Sequence, residues 1–434
     1  MRSLICILLF LFPISALSQQ TGGEDSKEDD DTRSGVRLVV KDRPSLRIGK
    51  AVRIELESKL QFDFINYVPD LKVAPKTDDP YELGRARFGI VGRVTKYVEY
   101  ELEREFRGSF GETRPAYPWK DAYVDFKISR FAGVKAGKFK VPFGLEQNTS
   151  ASKLDFIHRS RASDFLTSGR DKGVMVYGKL LKGDRLDYAV GSFQSDGEVA
   201  VAGGIKTADQ AWAARITGEP LRLIPRLPKT IQKVHLGMAA VTTQAFEGIS
   251  GLRGQTAAGE TFFPHIQING NRLRLGAEFS WQEGPLSLKS EFINVSQERR
   301  MQSIRLADLS DMFARGWYAS AGWTALGTMK SNGTEPKKPF LSGGGFGAVE
   351  LAARFEALRF DSTEQVTRES RSPRASNILG NSDRSWTVGA TWFVDRFVKF
   401  QINGIRETIE DIQRSPIGGR AKYWTVLARI QVAM

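Results

Sequence analysis

Cysteine is all but missing from this chain. The one residue, Cys6, lies in the first few positions, so neither a disulfide framework nor a cysteine-ligated metal site is available to hold a fold together. Long apolar runs are missing too once the N-terminus is passed. Leu4 to Leu17 is shorter than the roughly twenty residues a spanning helix needs, and no later segment approaches that length, which excludes a bundle of membrane helices. Histidine is scarce: His158, His235 and His265 are the three present, without a G-x-S-x-G element or metal-binding spacing. A barrel hydrolase would need paired acids with histidine, or serine with histidine, on neighbouring strands. The chain is therefore read as a non-enzyme that calls for no cofactor and no metal.

What is present begins with a leader. Arg2 precedes the apolar run, and Ala16-Leu17-Ser18 offers small residues where a signal peptidase reads, so residues 1–18 are expected to be a signal peptide cleaved before Gln19. Residues 19–47 contain the acidic run Glu24 to Arg33, which carries a net charge of −4 and reads as a solvated, disordered spacer. Formal charge is +13 for the whole chain, and removing the leader and the acidic run leaves +16 on the remainder. Such a surplus on an exported protein points to anionic partners: lipopolysaccharide, nucleic acid or small anions such as phosphate. Nucleic acid explains the charge but neither the leader nor the strand pattern, and is not expected as a partner.

From Ala51 onward the pattern has period two. In Arg53 to Phe64 the residues Ile54, Leu56, Leu60, Phe62 and Phe64 face one way while Arg53, Glu55, Glu57, Lys59, Gln61 and Asp63 face the other. Val98 to Phe106 alternates glutamates with Val98, Tyr100 and Leu102, which a helix would scatter round its surface. About sixteen such segments follow one another, the last being Tyr423 to Met434. Links alternate between tight (Lys96-Tyr97, Lys182 to Arg185, Arg396-Phe397) and long and polar (Asn66 to Leu83, Phe246 to Asn271, Ser362 to Arg384). An even strand number with short turns at one end and long loops at the other is the layout of an outer-membrane barrel. Thr328 to Phe346 departs from it, being long and glycine-rich on the short-turn side. Trp119, Trp281, Trp317, Trp323, Trp386, Trp392 and Trp424 fall near strand ends more often than in the middles, as interfacial girdles require. The fold class is all-β: a transmembrane antiparallel β-barrel over residues 48–434. One stretch stands apart, Lys138 to Lys172, a turn-rich basic link far longer than the usual four to six residues and so expected to have a functional or lid-like role.

Several stretches resemble the phosphate-selective porin O and P family: LGRARFGIVGRVTKYVEYELEREF (Leu83 to Phe106), GKFKVPFGLEQ within Lys120 to Ser160, SGRDKGVMVYGKL (Ser168 to Leu180), GAVELAARFEALRFD (Gly347 to Asp361) and WTVGATWFVDRFVKFQINGIRE (Trp386 to Glu407). The resemblance implies a sixteen-stranded outer-membrane porin of the bacterial cell, commonly a homotrimer, whose long third loop folds into the lumen and narrows it. Pro142 to Arg170 would be that loop.

A porin passes solute, so the chemistry wanted is a lined constriction, with rings of arginine or lysine for anions. Arg85 and Arg87 share the polar face of one strand, and facing lipid each would cost about 2–4 kcal/mol, so the lumen is their expected place. Lys138, Lys140, Arg354 and Arg429 fall on polar faces likewise, and Arg159, Arg161, Arg170 and Lys172 come from the long loop or its edge. These ten are the pore-lining or anion-binding candidates. The expected function is passive diffusion with anion preference, phosphate or polyphosphate included. The alternative is a non-conducting surface protein that binds anionic envelope polymers, and outer-membrane lipid and lipopolysaccharide are expected neighbours in either case.

Overall fold

A computed structural model of the chain describes residues 35–40, 43–49, 51–67, 80–107, 118–181, 185–202, 205–303, 305–330, 333–362, 377–416 and 420–434. The expected leader and the acidic run lie outside these residues. The wall is made by β1 (Val52–Tyr67), β2 (Tyr81–Val94), β3 (Val98–Glu105), β4 (Trp119–Lys127), β5 (Gly133–Lys140), β6 (Arg170–Leu180), β7 (Leu186–Phe193), β8 (Ala208–Gly218), β9 (His235–Ile249), β10 (Gln267–Glu283), β11 (Leu286–Arg299), β12 (Leu309–Leu326), β13 (Ala348–Ser362), β14 (Asn381–Phe393), β15 (Val398–Ile409) and β16 (Lys422–Ala433). Each strand pairs antiparallel with the next, and β16 returns to β1 from Thr425 against Tyr67 to Ala433 against Lys59. The sheet is therefore a closed ring of sixteen strands, one for each alternating segment in the sequence. Among the described residues no helix is long and apolar enough to cross a membrane.

Burial in this ring is inverted relative to a water-soluble protein. On β10, Arg272 and Arg274 are 1 % and 0 % exposed, whereas the neighbouring Leu273 and Leu275 are 39 % and 46 % exposed. On β16, Thr425, Arg429 and Gln431 are buried while Trp424, Ile430 and Val432 are exposed. Charged residues are almost never buried unless paired, so a wall that hides its arginines and presents its leucines has lipid, not water, as its outer solvent. Alternation makes this possible, because successive side chains of a strand point to opposite faces.

Regular structure starts earlier than the sequence suggested. Val36–Val40 and Pro44–Ile48 form a hairpin, and the second of these pairs with β1 from Ser45 against Glu55 to Ile48 against Val52. The last pair of β16 is with Lys59, so this start of β1 extends past its neighbour; the hairpin covers what would otherwise be an open edge. Its Arg43 reaches Glu57 at 3.2 Å. The departure at Thr328 to Phe346 also finds an explanation: Thr328–Lys330 and Gly333–Glu335 make a small hairpin. The Thr334 hydroxyl donates to Glu350 at 2.5 Å and lies 2.9 Å from the Thr324 hydroxyl, which ties the link to the inner wall.

Closure concentrates polar bonds at the β16–β1 seam. The guanidinium of Arg429 grips Asp63, its register partner, with bonds of 2.6 and 2.5 Å, and Gln61 donates to Gln431 at 2.7 Å. Removing one member of a buried ion pair strands the other. Arg429→Ala is expected to lower unfolding stability in detergent by about 3–5 kcal/mol, and the Asp63→Ala, Arg429→Ala double variant by less. A double variant no more stable than the single one, by thermal unfolding, would show that the pair does not act as a unit.

Candidate functional site

The segment 141–169 joins β5 to β6 yet bonds to strands across the ring. It contains two short α-helices, Leu145–Asn148 and Arg161–Leu166, with a 3-10 turn, Ala151–Lys153, between them, and the second α-helix is capped by Ser160, whose side chain accepts from the Ser163 amide. Glu291 of β11 accepts from the amides of Leu145 and Glu146 at 2.6 and 3.0 Å and from the Ser163 and Tyr318 hydroxyls at 2.9 Å each. Asn403 of β15 accepts from the Ile157 amide at 2.8 Å, and Arg429 of β16 donates to the Ile157 carbonyl at 2.7 Å. Arg274 of β10 donates to the Leu166 carbonyl at 2.7 Å. Every partner lies on the buried, polar face of its strand.

Arg161 is the strongest anchor. It stands 3.0, 2.9 and 3.0 Å from Glu356, Asp383 and Glu407 on β13, β14 and β15. Burial works against its charge, but those three carboxylates outweigh burial and raise its pKa above the ordinary arginine value. Glu146 goes the other way: burial, with Glu291 adding to it and Arg354 opposing, pushes its carboxyl up to about 7. Apolar packing completes the attachment. Phe143, Ala162 and Leu166 join a core with Val241, Ile293, Leu358 and Phe360, together with Leu252, Phe262 and Phe263 from the 250–266 link. Glycine in the wall permits the approach, since a Cβ at Gly316 would sit 2.6 Å from the Ala162 Cβ.

A cavity of about 1220 Å³ remains, bounded by the 142–159 portion of this segment and by inward faces of β1 to β8 and β13 to β16. Fifteen basic and eight acidic side chains line it. Five of the ten candidate residues are among them: Arg85, Arg87, Lys140, Arg159 and Arg170. Two of the five are neutralised. Arg170 holds Asp121 through bonds of 3.1 and 2.7 Å, and Arg87 holds Glu105 at 2.8 Å and Glu103 at 3.2 Å. The other three bond, among the described residues, to uncharged oxygens. Arg85 donates to Gln61 at 2.8 Å; Lys140 to the carbonyls of Asn148 and Thr149 at 3.1 and 3.0 Å; Arg159 to those of Glu146 and Thr149 at 2.8 and 3.0 Å. These bonds hold the three side chains in place, and none of the three has a carboxylate in salt-bridge contact among the described residues.

The remaining candidates serve the wall. Arg161 and Arg429 are committed as described, and Arg354 is 3.5 Å from Glu146 and donates to the His158 carbonyl at 3.2 Å. Lys138 pairs with Glu198 at 3.8 Å and does not line the cavity. Lys172 is exposed on the face it shares with Val174 and Val176, which look outward, so it is not a pore residue. Sequence reasoning missed Lys135, Lys153 and Arg215, which do line the cavity. Lys135 was available from the alternation of β5; Lys153 was not, because no period applies inside an irregular link. Among the described residues no group of three or more His, Cys, Asp or Glu is placed to hold a metal ion.

No curated protein sequence matches the chain. Solved structures share the architecture. An anion-selective porin from Comamonas acidovorans is 12% identical, with 88% of this chain and 100% of that one covered at a TM-score of 0.55. Outer-membrane-expressed OmpT of Vibrio cholerae is 9% identical, covering 92% and 100% at 0.54, and the outer-membrane channel DcaP of Acinetobacter baumannii is 11% identical, covering 88% and 98% at 0.54. At such identities the likeness establishes the barrel. The family model described as phosphate-selective porin O and P matches residues 54–219 and 255–433, nearly the whole wall, and the chain thus belongs to that family of bacterial outer-membrane porins.

Proposed function

We propose that the chain is a passive channel for small anions, phosphate among them, which performs no covalent chemistry. The segment 141–169 lies inside the lumen as its constriction, and Arg85, Lys140 and Arg159 are the cations that permeating anions meet. The observation that carries this reading is the bonding of those three to neutral oxygens in a cavity lined by fifteen basic and eight acidic side chains. Charges farther apart than about 8 Å are largely screened at physiological salt, so these local charges act on a solute while the overall surplus does not. Arginine suits an oxyanion because its planar donors reach two oxygens at once. The hydrogen bonds from 141–169 to β10, β11, β15 and β16 support the in-lumen placement. Its family and its likeness to the anion-selective Comamonas porin support anion preference, and OmpT of Vibrio cholerae, known in a trimer form, supports a homotrimer. Outer-membrane lipid covers the exposed apolar faces, and lipopolysaccharide meets the long-loop end.

In a planar bilayer under a salt gradient, the purified protein is expected to show a reversal potential of anion preference. Replacing Arg85, Lys140 and Arg159 together by glutamine should reduce the anion-to-cation permeability ratio severalfold, whereas glutamine at Lys172 should leave it unchanged. Cation preference in the unaltered protein would refute the charge argument; folded protein without conductance would favour a surface-binding role.

Glu146 adds a pH dependence. Its carboxyl titrates near 7 when packed and near 4.5 when released, so the packed segment favours the protonated form. That contribution is complete below about 4.5 and is lost as pH rises to about 7. Arg354, Arg159 and Glu291 surround the group and are retained in Glu146→Gln, which should flatten the dependence. Amide exchange of 145–166 between pH 4.5 and 7.5 measures it: exchange corrected for intrinsic rates should rise with pH in the unaltered protein and stay level in the variant.

A further inference from the structure

Resting on the channel reading above, we propose that the cavity is a binding site for organic anions with a flat apolar body: the charged head goes to Arg85, Lys140 and Arg159, and the body lies on Tyr123, Met175 and Tyr177, which the buried Phe139 backs. All seven side chains line the same cavity. The interior of an outer-membrane barrel is ordinarily polar, and chloride or phosphate gains nothing from aromatic rings and a thioether.

The patch is built by register. Tyr123 on β4 stands opposite Gly137 on β5; Lys135 and Gly133 on β5 stand opposite Met175 and Tyr177 on β6. Glycine opposite each tyrosine leaves room for the ring to lie across the neighbouring strand: a Cβ at Gly133 would be 2.6 Å from the Tyr177 ring. Tyr123 and Phe139 meet edge to face with centroids 6.1 Å apart. The hydroxyls are already committed, Tyr123 donating to Glu101 at 2.7 Å and Tyr177 to Asp125 at 2.5 Å. What these two residues offer a solute is therefore ring surface. Lys135, paired with Asp125 at 3.6 Å, places its Nζ 4.0 Å from the Tyr123 ring centre. Rings with fixed polar ends and an adaptable methionine are the usual furniture of small-molecule pockets.

Head and body sites adjoin. Lys140 follows Phe139 in the chain, and Asp121, the partner of Arg170, is two residues from Tyr123 on the same face of β4, about 7 Å along the strand. The cavity's 1220 Å³ exceeds the roughly 300–1,000 Å³ of most ligand pockets, so a two-ring body fits with water beside it.

The test titrates chloride current through the full-length protein in a planar bilayer with naphthalene-2-sulfonate, methanesulfonate and phosphate. Naphthalene-2-sulfonate should half-block at a concentration at least tenfold below that of methanesulfonate and below that of phosphate. Tyr177→Ala and, separately, Met175→Gln should bring the naphthalene-to-methane ratio towards one, and Tyr177→Phe, which keeps the ring, should preserve it. Equal half-blocking concentrations, tighter block by phosphate, or a ratio indifferent to both wall variants in protein shown to be folded by heat modifiability would overturn the proposal. The reversal potential is read on the same membranes, so loss of anion preference, which would defeat the channel reading, is distinguishable from failure of the apolar wall.

Discussion

Backbone amides and carbonyls have no water to bond inside a lipid bilayer, and that constraint sets the rest of this molecule. Each strand must find both neighbours, so the sheet has to close, and β16 must meet β1 in register. Closure in turn fixes which way every side chain points. A one-residue slip at the seam would turn Arg429 and Gln431 into lipid and Ile430 into the lumen, and the Arg429–Asp63 and Gln61–Gln431 bonds oppose that slip. The N-terminal hairpin belongs to the same logic, since it pairs the stretch of β1 that β16 does not reach.

A closed ring with its polar faces inward gathers charge in a confined space, and that charge has to be matched. Much of the matching is done by 141–169. Glu291 accepts four bonds from this segment and its surroundings, and Arg161 sits among three carboxylates supplied by successive strands. Breaking such a constellation leaves several buried charges without a partner, which costs far more than the loss of an exposed ion pair. The segment is also held by an apolar core shared with 250–266, and a cavity remains beside it.

The strands are legible because period two is a local property: each segment announces its two faces within a few residues, and all sixteen strands of the ring carry it. The role of an individual arginine is not. Arg159 and Arg161 stand two apart in His158-Arg159-Ser160-Arg161 and look interchangeable, yet one bonds to carbonyls beside the cavity and the other is locked among Glu356, Asp383 and Glu407. Those partners lie about two hundred residues away in sequence, and only ring closure brings them near. Lys172 failed differently. Its charge suggested the lumen, but its register with Lys138 and its parity with Val174 and Val176 put it on the outer face, towards the long-loop end. The link at Thr328 to Phe346 was opaque because its small hairpin is fixed by Thr334 bonding to Glu350, a contact without local signature.

In the channel proposed above, the distinction between compensated and uncompensated cations connects this fold to its function. Arg87, Arg161, Arg170 and Arg429 each have a carboxylate in bonding distance, and a permeating anion would have to compete with a partner that is covalently part of the wall. Arg85, Lys140 and Arg159 are oriented by carbonyl and amide oxygens, with no carboxylate in salt-bridge contact among the described residues. On the channel reading proposed above, crowding these basic groups beside one cavity is costly, and the cost is offset when an anion enters. Entry is thereby favoured. A channel needs both properties at once, binding strong enough to admit a solute and weak enough to let it go.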